Sequence, residues 1–288
     1  MARRINNFLK SPKLKIAFAR TACGDGWHSG VVFDDLSVSG FATGKEREAT
    51  IRVAIFEAIE RFIFRNYSSS KDASCSGWAA HTNLLLARKN AFNELVERDG
   101  MLVTWLTKRS PKQLYNAGLD FSTLGYDAHI FTVSSGARCC VLGAVVKSKD
   151  HDKKIFLSAG GSSETDSINK LYWDIQRGID FLNTGKYMDL NKEMYLHWEK
   201  FCEFVDNDIG WLFKDGPGLS YPQLNAEYDD YEVPLWDGTT AWVSRARCDY
   251  LQEVFWGLPT AKNINIHRFM DLGVHDISSL NMELHPIL

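Results

Sequence analysis

Two short segments carry the same three charged residues in the same frame. Glu57, Glu60 and Arg61 stand in Ala54–Phe62 (AIFEAIERF), and Glu94, Glu97 and Arg98 recur 37 residues later in Ala91–Asp99 (AFNELVERD). Residues three and four apart share a helix face, so in each copy the two acids and the arginine project together. Between Arg52 and Arg65 nothing else is charged, and Val53, Ile55, Phe56, Ile59, Phe62, Ile63 and Phe64 cover the rest of the helix. Such a helix reads as buried, and a buried carboxylate must be paired or must hold a cation. Three chemistries fit the spacing. One is a surface ion pair at i,i+4, Glu57 with Arg61 and Glu94 with Arg98, a few tenths of a kcal/mol each. A di-iron carboxylate site would want Glu-x-x-His on two helices, and Glu60 and Glu97 stand at those third positions instead. The third is Mg²⁺ bound with nucleotide phosphates, where carboxylates hold the cation and arginines face the phosphates. The chain has no GxxxxGK[ST] loop to do that work otherwise. Two copies in equivalent frames favour the four-carboxylate cage.

The elements that must position these acids follow from periodicity. Residues 13–43 predict short strands joined by glycine-containing turns. Gly44–Asn66 predicts the first long helix, Ser68–Ser76 a polar connection, and Asn83–Thr107 the second helix. Ala128–Ser134, Arg138–Val146 and a run near Lys154–Ala159 read as strands. After a Gly160–Gly161 turn, Asp166–Leu182 is helical, with Ile168, Leu171, Ile175, Ile179 and Leu182 on one side. Residues 185–232, rich in Trp and Tyr, read as a helix followed by a long irregular loop, with ordinary packing favoured over partner docking for their aromatic side chains. Thr240–Ala246 is a last strand, and Leu258–Leu288 a tail that is mostly loop. The expectation is a single α/β domain over 1–288, with amino-terminal strands in 1–39 and a carboxy-terminal tail from 258.

Composition narrows the function classes. Of 288 residues, 45% are hydrophobic and 24% charged, and the formal net charge is −3. No basic run marks a nucleic-acid partner, and nothing approaches the roughly 18 consecutive apolar residues of a membrane span. The basic start MARRINNFLKSPKLK lacks the apolar stretch of a signal peptide, which points to the cytoplasm. Cys23, Cys75, Cys139, Cys140, Cys202 and Cys248 show no metal-ligand spacing and read as free thiols.

With these residues in place, the sequence resembles the YcaO family. Ala54–Phe62 followed by Ser76–Asp99 (SGWAAHTNLLLARKNAFNELVERD) is similar to that family's first E-A-x-E-R helix, its SNG-like turn and its E-x-x-E-R-D helix. Ser158–Arg177, Ala241–Gly257 and Asn265–Arg268 resemble later family segments, in the family's order. The resemblance implies a YcaO-like α/β fold with mixed sheets, in which two repeated Glu-bearing helices form the nucleotide site. It implies ATP and Mg²⁺ as cofactors, and an ATP-dependent cyclodehydratase acting on a ribosomally made precursor peptide in bacteriocin-like biosynthesis. A Cys, Ser or Thr side chain of the substrate attacks the preceding backbone carbonyl. The amide oxygen takes the γ-phosphoryl group, and phosphate leaves to give a thiazoline or oxazoline. Thioamide formation and a non-catalytic nucleotide-binding scaffold are the alternatives.

By residue, the resemblance assigns Glu57, Glu60, Glu94 and Glu97 to Mg²⁺ and nucleotide, and Arg98 to the phosphate side. Arg61, Ser76 and Lys45 are further nucleotide candidates, and the Leu288 carboxylate is a candidate at the active site. The substrate supplies the nucleophile, so no catalytic triad is expected. Departures from the family pattern fall at Gly77, at His81-Thr82-Asn83, at Leu86 and at Asp174, and they bear on the adenine and ribose contacts. Asn83 or Thr82 would substitute there. With about 40 residues before the first motif, a leader-binding module is expected on a separate E1/ThiF-like partner, with a flavin-dependent azoline oxidase as a further partner. A homodimer is compatible with this reading.

Overall fold

The computed structural model describes residues 2–5, 12–68, 74–136, 139–150, 154–184 and 209–285. The chain divides into two compact units, one made of residues 1–95 and 225–248 and the other of residues 96–224 and 249–288. The division falls inside one continuous helix, α2 (Leu84–Thr107), between Leu95 and Val96.

The first unit holds two sheets. Strands β2 (Leu14–Arg20), β3 (Trp27–Phe33) and β4 (Val38–Gly44) form an antiparallel meander in that order. The second sheet runs β1–β10–β11–β5. It is built from β1 (Arg3–Arg4), β10 (Glu227–Pro234), β11 (Thr240–Arg247) and β5 (Trp78–His81). Helix α1 (Arg47–Tyr67) lies on the meander through Ala54, Ala58, Ile59 and Ile63, all fully buried. They close one core with Val31, Phe33, Val38, Trp78, Tyr231, Val233 and Val243. Alternation along β3 explains the layer: Val31 and Phe33 point inward, with half-exposed residues between them.

The second unit is an antiparallel sheet, β6–β7–β8–β9, from β6 (Lys112–Gln113), β7 (Tyr126–Ser135), β8 (Cys140–Ser148) and β9 (Lys154–Gly161). Helix α3 (Glu164–Thr184) covers β8 and β9. As its periodicity requires, Leu171, Ile175, Ile179 and Leu182 are buried. A short helix, α4 (Ile266–Met270), interrupts the tail.

Four sequence expectations are corrected. Glu227–Glu232, placed in a loop, belongs to strand β10, because its partner is β11, with Glu227 paired to Arg247 twenty residues on and invisible to a local pattern. Trp78–His81, read as turn, is edge strand β5. Gly160 and Gly161, read as a turn, still pair with Val141 and Cys140 of β8, and the chain turns only afterwards. Helix α1 is buried on one face rather than all round: Arg52 and Val53 are exposed. The helical part expected within 185–208, with Trp198, and Cys202 lie outside the described residues, while the other five cysteines are free thiols. Among the described residues, no helix is long and apolar enough to cross a membrane.

Candidate nucleotide site

Each first acid of the repeated motif holds a strand edge. The Phe41 backbone N–H of β4 donates to Glu57 Oε2 at 2.7 Å, and the Trp78 N–H of β5 donates to Glu94 Oε2 at 2.9 Å. Both contacts span sixteen residues. Each of these strands lies at the end of its sheet, where unpaired N–H groups face outward. A carboxylate there satisfies a donor that the ladder leaves over, through a charge-assisted bond.

The strands repeat as well as the helices. Ser39-Gly40-Phe41-Ala42 returns as Ser76-Gly77-Trp78-Ala79, with the same offset of 37 as the two Glu motifs. The repeated unit is thus a strand and a helix, and its Gly allows a close backbone approach in both copies, to α1 at Gly40 and to β11 at Gly77. A Cβ at Gly40 would sit 2.0 Å from Ala54 O and 2.5 Å from Ala58 N of α1. Gly77 has φ +76°, and a Cβ there would be 2.5 Å from Ala246 O. The half of this repeat that lies in strands escapes a reading by helical periodicity, although the four residues stand plainly in the sequence.

The other carboxylate oxygen of Glu57 takes Arg61 Nη2 at 2.6 Å, the i,i+4 pair, and Arg61 Nη1 also donates to Ser39 O at 3.1 Å. Arg61 is therefore engaged on the exposed rim of β4. In the second unit, Glu97 accepts from Ser158 Oγ and from the Gly160 N–H, each at 2.6 Å. Lys170 Nζ of α3 donates to Gly160 O at 2.9 Å, so this one peptide is held by an acid on its N–H side and a lysine on the next carbonyl. Asp174, one turn further along α3, receives Arg177 Nη2 at 2.8 Å. Burial pushes the Asp174 carboxyl up to about 6, and Glu97 adds to that rise while Arg177 and Arg98 oppose it. Beside this group, the Cys139 thiol is pushed up to about 12, chiefly by burial. It is an inert core thiol at neutral pH.

The remaining candidates sit as follows. Glu60 is half-buried on α1, and Arg98 half-buried on α2. Ser76 is buried before β5, its Oγ accepting from Ser74 Oγ at 3.0 Å. Lys45 is exposed just before α1. Asn83 has a structural use: its Oδ1 accepts from the Leu86 N–H at 3.1 Å, which makes it the N-cap of α2. His81 Nδ1 accepts from the Asn83 N–H at 3.0 Å, while its ring stacks on Phe56. Leu288 lies outside the described residues. Among the described residues, no three His, Cys, Asp or Glu side chains are gathered as a metal-ligand group. The donor set nevertheless suits a hard cation. Glu57, Glu94 and Glu97 each offer carboxylate oxygens, and each accepts from a backbone N–H, the way ligating carboxylates are commonly held.

Sequence reasoning missed a wholly buried charged pair of the second unit. Asp99, directly after Glu97-Arg98, forms a salt bridge with Arg268 at 3.1 Å, and both side chains are wholly buried. Tyr221 Oη donates to Asp99 Oδ2 at 2.7 Å, and the Gln252 N–H donates to Oδ1 at 2.7 Å. Burial, then the Asp99 charge, raises the Tyr221 phenol well above its ordinary value, so it stays a donor. The network ties the second half of α2 to Tyr221, Gln252 and Arg268.

Comparison with known proteins bears on the matched segment and on the fold. Residues 65–167 match the family model described as YcaO cyclodehydratase, ATP- and Mg²⁺-binding; the match takes in Glu94, Glu97 and Ser158–Gly160. No curated protein matches the sequence. Among solved structures, a heterocyclase in complex with substrate and cofactor is similar, with TM-score 0.69 and 12% identity over 95% of this chain and 55% of that one. This chain thus spans about half the length of that heterocyclase. YcaO from Methanopyrus kandleri, bound with AMPPCP and Mg²⁺, is similar with TM-score 0.60 and 11% identity, over 81% of this chain and 84% of that one. The E. coli microcin synthetase McbBCD complex with pro-MccB17 is similar with TM-score 0.59 and 12% identity, over 88% and 94%. At these identities the likeness is one of fold, and the fold is the mixed α/β one that the resemblance implied. The matched segment is thus that of a YcaO cyclodehydratase model, and the fold is shared with solved YcaO and heterocyclase structures.

Proposed function

We propose that this chain is an ATP-dependent cyclodehydratase that activates backbone amides of a ribosomally made precursor peptide. The observation that carries the reading is the pair of edge-anchored acids, Glu57 and Glu94, each held by a strand N–H at the head of a Glu-x-x-Glu-Arg turn. In this reading Glu57, Glu60, Glu94 and Glu97 hold Mg²⁺ with the phosphates of ATP, and Arg98 neutralises phosphate charge. Ser76, Lys45 and Arg61 are secondary nucleotide candidates, of which Arg61 has the least freedom because it already spans Glu57 and Ser39. Bound Mg²⁺–ATP would supply the phosphoryl donor chemistry that turns an amide oxygen into a leaving group.

This chain's own residues do the positioning. The peptide N–H bonds fix three acids so that their anionic charge needs no reorganisation when a dication arrives. The Ser158 and Gly160 donors leave lone pairs on both Glu97 oxygens. Lys170 adds a positive charge beside Gly160. The substrate's Cys, Ser or Thr attacks the preceding carbonyl carbon, and the oxygen takes the γ-phosphoryl group. Phosphate then leaves, giving a thiazoline or oxazoline ring and ADP, so that one water is lost per ring. A separate E1/ThiF-like protein would present the precursor, with a flavin oxidase acting afterwards. The solved microcin synthetase, a multi-protein complex with its precursor bound, supports that division of labour.

Glu97→Gln tests the reading. The amide keeps the shape but loses the charge and one acceptor, and precursor-dependent ATP turnover should fall by about 10–100-fold. The assay measures phosphate release with precursor and partner present, together with the loss of one water per ring by mass spectrometry. Equal rates for the two proteins would sink the proposal. ATP–Mg²⁺ binding without any mass change would leave a scaffold instead of an enzyme.

A further inference from the structure

The two copies of the repeated helix differ one residue after the motif. Asp99 holds the place that Phe62 holds in α1, 37 residues earlier. In α1 that place is apolar and half-buried, with the Phe62 ring edge to face on Tyr67 at 6.3 Å. An aromatic side chain is enough to pack the turn there. In α2 the same place carries a carboxylate with no exposed surface, and its partner Arg268 is as fully buried. A buried ion pair is seldom more stabilising than apolar side chains of its size, so stability does not account for the exchange. What such a pair adds is direction, because a guanidinium fork meets a carboxylate in a fixed geometry.

Three groups fix that direction. Arg268 reaches Asp99 Oδ1 through Nε and Oδ2 through Nη2, both at 3.1 Å. The Tyr221 hydroxyl and the Gln252 N–H add their bonds at 2.7 Å. The segment behind Gln252 is itself braced. The Gln252 carboxamide accepts from the Asn265 N–H at 2.7 Å and donates to Asn263 O at 2.9 Å, and Asn265 Nδ2 donates to Asp249 O at 2.8 Å. Asp99 is thus bonded to a frame and not to a loose loop. Glu97 stands two residues earlier, roughly 200° round the helix, where it meets Ser158 and Gly160 of β9. The turn is gripped through Asp99 on one side and carries Glu97 on the other, so any rotation of the helix moves both. A helix with its side chains is about 5–6 Å in radius, and a rotation of about 10° therefore shifts the Glu97 carboxylate by about 1 Å. Where geometry matters, a displacement of that size is enough for an effect of about 10²-fold.

We propose that Asp99 and Arg268 are positioning residues of the Mg²⁺–nucleotide site, setting the rotation of α2 and with it the place of the Glu97 carboxylate. This rests on the reading of Glu97 as a cation-binding acid given above. Both side chains are wholly buried, so they act on a bound cation only through the turn 96–99 that joins Asp99 to Glu97.

Asp99→Leu combined with Arg268→Met separates position from stability. The double variant fills the site with apolar side chains of similar length, so its urea midpoint should stay near that of the wild type. Its dissociation constant for ATP in the presence of Mg²⁺, measured by calorimetry, should nonetheless rise by about 10–100-fold, the range for groups that orient metal ligands. The Mg²⁺ concentration at half-saturation should rise with it. Arg268→Lys keeps the charge and loses the fork; a smaller loss of the same kind is expected, and it keeps the test open if the double variant does not fold. Either variant, folded and binding Mg²⁺–ATP as the wild type does, would overturn the proposal and make the pair a matter of packing alone. Weaker ATP binding at an unchanged Mg²⁺ half-saturation would overturn it too. A wild type that binds Mg²⁺–ATP but never removes water from a precursor strikes the cyclodehydratase reading and leaves this comparison standing. A wild type that does not bind Mg²⁺–ATP overturns both.

Discussion

Asp99→Ala is expected to lower the unfolding free energy by about 3–5 kcal/mol, because it strands a guanidinium in the interior. Arg268 has no exposed side-chain surface, and it donates to Asp99 from Nε at 3.1 Å and from Nη2 at 3.1 Å. Its remaining company is aromatic, with the Tyr221 and Tyr250 rings each 5.0 Å from the guanidinium carbon. Those faces soften the charge but do not balance it. The same substitution takes the acceptor from the Gln252 N–H and leaves the Tyr221 hydroxyl only the longer bond to Val96 O at 3.4 Å. The double variant Asp99→Ala with Arg268→Met should be more stable than Asp99→Ala alone, since removing both charges leaves none unpaired. Urea unfolding of the three proteins measures this. A single-variant loss below about 1 kcal/mol, the ordinary scale for a point change, would refute the burial of the pair.

The second large effect lies at the repeated glycines. Gly40→Ala puts a methyl group 2.0 Å from Ala54 O and 2.5 Å from Ala58 N, both backbone atoms of α1. No rotamer relieves that clash, so helix and strand must part. The expected loss is at least about 1–3 kcal/mol, and the parting also lengthens the Phe41–Glu57 bond that holds the first acid. Gly77→Ala meets Ala246 O at 2.5 Å and carries a left-handed φ of +76° as well. The backbone adds about 1–2 kcal/mol there, so a total of roughly 2–5 kcal/mol is expected. Thermal unfolding of both variants gives the measurement. Either protein within about 0.5 kcal/mol of wild type would mean that the backbone at Gly40 and α1, or at Gly77 and β11, does not approach as closely as described.

Both predictions rest on residues whose importance is hard to read from local pattern. Asp99 follows the second Glu-Arg pair directly and was visible as part of that motif, and Arg268 was visible within Asn265–Arg268. Their contact spans 169 residues, which no periodicity reports. The helices were easier. The buried Leu171, Ile175 and Ile179 of α3 lie where the 3.6-residue repeat puts them. The strands divided by environment. β8 and β9 are two-sided, apolar runs and were legible, while Trp78–His81 is four residues long and Glu227–Pro234 reads EYDDYEVP, acidic enough to pass for loop. Asp230 in that strand accepts Arg88 Nε at 3.1 Å and Ser244 Oγ at 2.7 Å, so its charge is compensated by partners far along the chain.

The candidate acids show the same division. Residue type and spacing alone established four carboxylates on two equivalent helices, a donor set of hard oxygen ligands, and the resemblance that goes with it. They also established that the lysines and arginines make no continuous basic run. What only the tertiary structure decided is how the acids are held: Glu57 by β4, Glu94 by β5, and Glu97 by Ser158 and Gly160 of β9. The physical reason is the range of the interactions. A helix writes its pattern within four residues, since its bonds close locally. A strand edge is satisfied by whatever the fold brings to it, and here that is a carboxylate sixteen residues away, twice, at the same offset.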